Sequence, residues 1–464
     1  MNYITSTIIT NDTDYANIKN NIIYKCKNVP LVITNITQKE AYEINRTRYL
    51  SNVLKPCNYR FSVIDDIELL PPEQQFQLFG EGKNIHPTIH NLLKYNYVID
   101  FIKDNYNVIP TGKDNTIVIL DTGINTDHEA FQPGYKYKLT EEIEVAIQPE
   151  QITARTLLND NEGVEDIMPS GGHGTPVTYI ALSFAPESRI ISYRVTKRIN
   201  NNIMAEDIDI VRALDSAVTD INEDKDKSNV GVINISLGGP DTQADIIKDF
   251  IQLSVQQYPW IVYSVAAGNS GPAPRTIETP ASSPSAVAIG SCNTEFIVSE
   301  FSSRGPNKQN YIKPEFVLPG ESLIAASADD NDSYKAKTGT SFSTPIFSGG
   351  ISLAISSFIE AVPPIKQYMQ EIKEARLNIT QILNNIGPKM TIKPVIAGAN
   401  LYGKDNNYGY GIIMGDLTAR QLGLAIRQIS EPTIPFMNML FSTALFTTLI
   451  PVIKNIQTNT NNNK

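Results

Sequence analysis

Between residues 116 and 290 the chain alternates short apolar runs with stretches of helical period, and this alternation leaves few architectures open. The apolar runs are 116–120, 189–195, 230–235, 260–266 and 286–290. Runs this short and continuously apolar predict strands buried on both faces. Between them, 207–221 carries Ile210, Leu214, Ala217, Val218 and Ile221 at helical spacing, and 244–255 does the same with Ile247, Phe250 and Ile251. Strands separated by helices predict an α/β fold: a mostly parallel central sheet with helices on both faces. No internal repeat interrupts the pattern.

Three glycine-flanked strings are set into this frame. They are Ile-Leu-Asp-Thr-Gly at 119–123, Gly-Gly-His-Gly-Thr at 171–175 and Gly-Thr-Ser-Phe-Ser at 339–343. They supply Asp121, His173 and Ser341. A serine hydroxyl is a poor nucleophile and needs an adjacent base. A histidine can take its proton and return it to a leaving group, and a buried carboxylate fixes the imidazole tautomer. Asp121 follows an apolar strand, where open α/β sheets place their sites. Ser341 stands at the start of the apolar segment 342–362, a predicted helix with Pro345 in its first turn. A helix N-terminus favours developing negative charge. Residues 261–271 read as a buried strand ending at Asn269, whose amide, with the Ser341 backbone N–H, predicts an oxyanion site. The chain holds only four histidines, which makes a chance placement of His173 hard to credit.

In combination these strings resemble the subtilisin-like serine proteases, from about Asn115 to about Ala419, roughly two-thirds of the chain. Asp-Thr-Gly-Ile with His128 downstream matches the family's Asp motif, His-Gly-Thr its His motif, and Gly-Thr-Ser-x-Ser-x-Pro its nucleophile motif. Asn-Ile-Ser-Leu-Gly-Gly at 234–239 is similar to one wall of the primary specificity pocket. Ala-Ala-Gly-Asn at 266–269 matches the oxyanion segment. The resemblance implies Ser236, Leu237, Gly238, Gly239, Ala267 and Gly268 as substrate-binding residues. It implies a serine endopeptidase that cleaves peptides or proteins through an acyl-enzyme; no cofactor and no metal are expected.

Alone, each string has a plainer reading. His-Gly is ordinarily a loop, Gly-Thr-Ser a helix cap and Asn269 a left-handed turn. A lone Asp-Thr-Gly also occurs in aspartic proteases, which need two. The function alternative is a catalytically idle subtilase-fold protein that binds a partner. The departures from the family are Phe342 where Met is common, and Pro176 where many members carry a second His. The interval from His173 to Ala185 is also too short for the usual calcium loop. The long stretch between Asp121 and His173, with acidic residues at 141–144 and 159–166, reads as a surface insertion at the cleft rim. His128 is assigned to structure, and His86 and His90 to a solvated stretch.

A net charge of −10 excludes nucleic acid as the main partner. Of Cys26, Cys57 and Cys292, only the first two are candidates to pair, and no disulfide framework emerges. The opening residues lack a charged segment followed by an apolar run, which predicts no secretory leader and a cytoplasmic protein. Residues 1–85 predict a small α+β domain, either similar to a subtilase propeptide or a permanent accessory domain: strands at 3–10, 30–36 and 59–67, helices at 15–23 and 38–52. A linker at 86–114 leads to the catalytic domain at 115–430, which closes with a helix at 417–429. From Pro432 to Ile453 no residue is charged. A helix docked on the body is favoured there over membrane contact. Residues 455–464 are Asn-rich and predict disorder.

Overall fold

The computed structural model describes residues 2–8, 22–37, 60–62, 86–223, 231–241, 245–361, 378–394 and 403–430. Its central sheet has nine strands: β1 (Thr116–Asp121), β2 (Ile152–Thr156), β3 (Arg189–Arg194), β4 (Gly231–Ile235), β5 (Ile261–Ala266), β6 (Val287–Cys292), β7 (Phe316–Pro319), β8 (Thr391–Ile392) and β9 (Ile412–Ile413). Their order is β8-β9-β7-β6-β5-β4-β1-β3-β2, and every pairing is parallel except β8 with β9. Each apolar run named from the sequence forms a strand.

Helices α1 (Gly174–Phe184), α2 (Asp207–Glu223), α3 (Ile246–Gln257), α4 (Thr340–Ala361), α5 (Ile379–Met390) and α6 (Gly415–Ser430) complete the frame. Alternate residues of the strands face opposite ways. Val118, Leu120, Ile233, Ile235, Tyr263 and Val265 join Leu214, Val218, Phe250 and Ile251 of α2 and α3 in one buried cluster. On the other face Asn234 Oδ1 accepts from Ser348 Oγ at 2.9 Å and the Thr344 carbonyl from Ser264 Oγ at 3.4 Å, both on α4. Helices therefore cover both faces. Asp245 caps α3, its carboxylate accepting from Ile247 N and Lys248 N at 2.9 and 3.2 Å.

Before the sheet, Asn2–Ile8, Leu31–Thr37 and Ile22–Lys25 form an antiparallel sheet with Leu31–Thr37 in the middle. Cys26, Val29, Leu31 and Ile33 are buried in the same cluster as α2 and α3. The Asp215 carboxylate of α2 accepts from Tyr24 Oη at 2.8 Å, Lys27 N at 2.7 Å and Asn28 N at 2.9 Å. The strand Ile22–Lys25 falls where the tail of a helix was expected, because its backbone pairs with Leu31–Thr37. Arg60–Ser62 pairs antiparallel with Asn202–Glu206, a partner that the sequence did not suggest.

Two further expectations change. His90 is wholly buried, not solvated: its ring stacks on Phe184 at 4.2 Å and Nε2 meets the Ser183 carbonyl at 3.1 Å. Cys26 is a buried free thiol, as is Cys292. Among the described residues no helix is long and apolar enough to cross a membrane. Pro432–Ile453, Cys57, the tail at 455–464 and most of the expected N-terminal helices lie outside the described residues. By contacts the chain divides at Leu422, and of the second unit, 423–464, only the end of α6 is described.

Candidate active site

Asp121 is the last residue of β1, Ser236 follows β4, and Ala267 follows β5. The carboxyl ends of three neighbouring parallel strands thus converge, as expected of an open α/β sheet. His173 is the N-cap of α1 and Ser341 lies in the first turn of α4. Asp121 and Ser341 are wholly buried and His173 nearly so.

The Asp121–His173 pair is close: Oδ1 lies 2.7 Å from Nδ1, and the same oxygen accepts from Thr122 N at 2.7 Å. With Nδ1–H donating to the carboxylate, Nε2 is left as the basic nitrogen. The turn that carries His173 is held from below by Asp166, which the sequence assigned to a surface insertion. Its Oδ2 accepts from His173 N at 2.9 Å and Thr175 N at 2.8 Å, and its Oδ1 from Thr122 Oγ1 at 2.6 Å. Thr122 Oγ1 in turn accepts from Gly174 N at 2.9 Å. Burial raises the Asp166 carboxyl above its ordinary range, against the pull of the Thr122 and Thr175 bonds. Gly172, at φ +74°, permits this close approach: a Cβ there would fall 2.3 Å from Asp166 Oδ2. Asp160, in the same insertion, also reaches inward, pairing with the buried Arg194.

Helix α4 begins at Thr340, so Pro345 falls in its second turn and not its first. A proline has no N–H for the carbonyl four residues back, here that of Ser341. That carbonyl accepts instead from Ser236 Oγ at 2.9 Å. The exchange is reciprocal, since Ser341 Oγ donates to the Ser236 carbonyl at 3.1 Å. The His173 and Phe342 rings lie 5.3 Å apart. Asn269 Oδ1 accepts from Thr340 N at 3.0 Å and Thr340 Oγ1 at 2.8 Å. A backbone N–H can only donate, so the orientation of the amide is fixed. Its Nδ2 is buried without a hydrogen-bond partner.

The segment containing Ser236, Leu237, Gly238 and Gly239 faces the one containing Ala267, Gly268 and Asn269. Residues 278 and 279 tie them together: Glu278 N donates to the Ala267 carbonyl at 3.0 Å, and Gly239 and Thr279 exchange bonds of 3.1 and 2.9 Å. Glu278 projects into the space between them. A Cβ on Gly238 would sit 2.4 Å from its Oε2, and one on Gly268 2.5 Å from its Cδ. Sequence reading missed Glu278 and Asp166. The paired glycines were the only available signal of the space that Glu278 fills.

His128 is structural, as assigned: Nδ1 accepts from Ala130 N at 3.1 Å and Nε2 meets the Ser333 carbonyl at 2.9 Å. Among the described residues no group of three or more His, Cys, Asp and Glu side chains is placed to hold a metal ion.

An α/β sheet with polar chemistry at its strand ends describes many hydrolases; the comparisons narrow the class. The sequence model of the subtilase family matches residues 112–411. The chain belongs to that family of subtilisin-like serine proteases. It is 26% identical over 299 residues to the serine protease AprX of Bacillus subtilis (strain 168), covering 58% of this chain and 62% of that protein. It is 24% identical over 316 residues to the membrane-bound transcription factor site-1 protease of Homo sapiens, covering 61% of this chain and 26% of that protein. The chain thus spans less than two-thirds of the length of these relatives. The CspB protease of Clostridium perfringens shares the fold, with a TM-score of 0.55 and 20% identity over 72% of this chain and 98% of that one.

Proposed function

We propose that the chain is a serine endopeptidase acting on peptides or proteins, with Ser341 as nucleophile, His173 as base and acid, Asp121 as its orienter and Asn269 as oxyanion donor. The observation that carries this reading is the buried, unpartnered Asn269 Nδ2 beside the Ser341 turn. Leaving a buried donor unsatisfied costs about 1–3 kcal/mol. An acceptor arriving with the substrate would offset that cost, and a passive scaffold has no such acceptor to offer.

The first step is a turn of the Ser341 hydroxyl from the Ser236 carbonyl to His173 Nε2. As Oγ bonds to the carbonyl carbon, the proton passes to Nε2 and the carbonyl oxygen becomes an oxyanion. Asn269 Nδ2 and the Ser341 N–H at the α4 terminus stabilise that charge. The tetrahedral species collapses, the C–N bond breaks, and Nε2 protonates the departing amine. Water, activated by the same nitrogen, then cleaves the Oγ–acyl ester.

We read 1–85 as a pro-segment. Its Tyr24, Lys27 and Asn28 bonds to Asp215 support non-covalent docking on the body. A cytoplasmic location belongs to the same reading. Labelling by a fluorophosphonate, followed by identification of the modified residue and of the N-terminus of the purified chain, tests it. Label on Ser341, lost in Ser341→Ala, is the expected result. An intact, folded chain that takes no label would be an idle scaffold.

A further inference from the structure

We propose that Glu278 makes this chain select a lysine or arginine immediately before the scissile bond. The inference rests on the peptidase reading above and extends it to the substrate. If the attacked carbonyl oxygen sits at Asn269 Nδ2, the side chain of that same substrate residue enters the space beside Ala267 and Gly268. The far wall of this space is Gly238. Glu278 lies against both glycines where a Cβ would otherwise be, so its carboxylate is the charged group that an incoming side chain meets.

The carboxylate is held in place yet keeps acceptor capacity. Oε1 accepts from Ser270 Oγ at 2.8 Å and from Asn269 N at 3.3 Å. Among the described residues no Lys or Arg side chain pairs with Glu278, which is half-buried. Burial pushes its carboxyl above the ordinary range, with the Ser270 and Asn269 bonds acting in the opposite sense. An anion set in a slot without a cation is poorly matched to apolar or acidic side chains and well matched to an ammonium or guanidinium. The turn-holding bonds alone would be an insufficient reason for a charge here, since a Gln would make the same two contacts.

The test uses the full-length chain and four peptides that differ only in Arg, Lys, Leu or Glu before the cleaved bond. Arg and Lys should exceed Leu in kcat/KM by about tenfold to a hundredfold, the range of one charge-assisted hydrogen bond, with Glu poorest. In Glu278→Gln the ratio of Arg to Leu should fall toward one. The wild-type ratios stand by themselves if that variant fails to fold. A chain that labels at Ser341 but cleaves Leu peptides as well as Arg peptides overturns the inference and leaves the peptidase reading intact. So does a Glu278→Gln variant that keeps the full preference. No label at Ser341 overturns both.

Discussion

Asp166 offers the sharpest separation of fold from chemistry, because it touches the His173 turn and not the reacting atoms. Replacing it by Ala removes the acceptor for His173 N, Thr175 N and Thr122 Oγ1. Hydrogen bonds to a charged group contribute about 1.5–3 kcal/mol each. The three do not add in full, since burial already opposes the charged form and water can reach part of a half-buried site. A loss of about 2–4 kcal/mol follows. The turn also aims the imidazole, and a misplacement near 1 Å costs about a hundredfold in rate. Asp166→Ala should therefore lower kcat by about a hundredfold with little change in KM. Asp166→Asn should fall between, because its single carbonyl can serve either the His173–Thr175 pair or the Thr122 side, but not both. Stability is to be read by urea unfolding in a Ser341→Ala background, which prevents self-digestion, and kcat on a peptide substrate in the active chain. Stability lost with kcat unchanged would show that Asp166 supports the fold without aiming His173. Both unchanged would refute the hydrogen-bond account.

Asn269→Ala should lower kcat by about 10²–10³, a size taken from subtilisin, a relative of this chain, and an unaltered kcat would move the oxyanion donor elsewhere. Acid should destabilise the chain through His90, whose imidazole burial holds at about 3 against an ordinary 6.5. Below pH 6.5 the unfolded chain binds a proton that the folded one refuses, so stability falls as pH drops toward 3, by on the order of a few kcal/mol in total. A pH series of unfolding midpoints on the wild type and His90→Phe checks this; identical slopes would exclude His90 as the source. Because 174–184 is one unbroken helix, EDTA should leave thermal unfolding unchanged, and a clear drop would reveal a cation site that sequence and structure both passed over.

The parallel strands were legible because burial on both faces forces nearly every residue to be apolar, as in 116–120 and 261–266. Asp121, His173 and Ser341 stood out in the sequence because each lies within two residues of a glycine. Glu278 and Asp166 were not, since each acts through segments remote in the sequence: Gly238 and Gly268 for one, His173 for the other. His90 misled for a related reason. Its neighbours along the chain are polar, but Phe184, far away in sequence, supplies its surroundings. The N-terminal strand Ile22–Lys25 was missed although its partner, Leu31–Thr37, lies close by in the sequence.

The reciprocal bonds between Ser236 and Ser341 tie two parts of the molecule into one inheritance unit. Any residue other than proline at 345 would offer the Ser341 carbonyl an intrahelical N–H, and Ser236 would have to share its acceptor. A drift in sequence inside the buried helix would then be felt first at the wall of the cleft. On the proposed reading, a substitution at Ser236 or at Pro345 alone would perturb the cleft wall and the turn of Ser341 together.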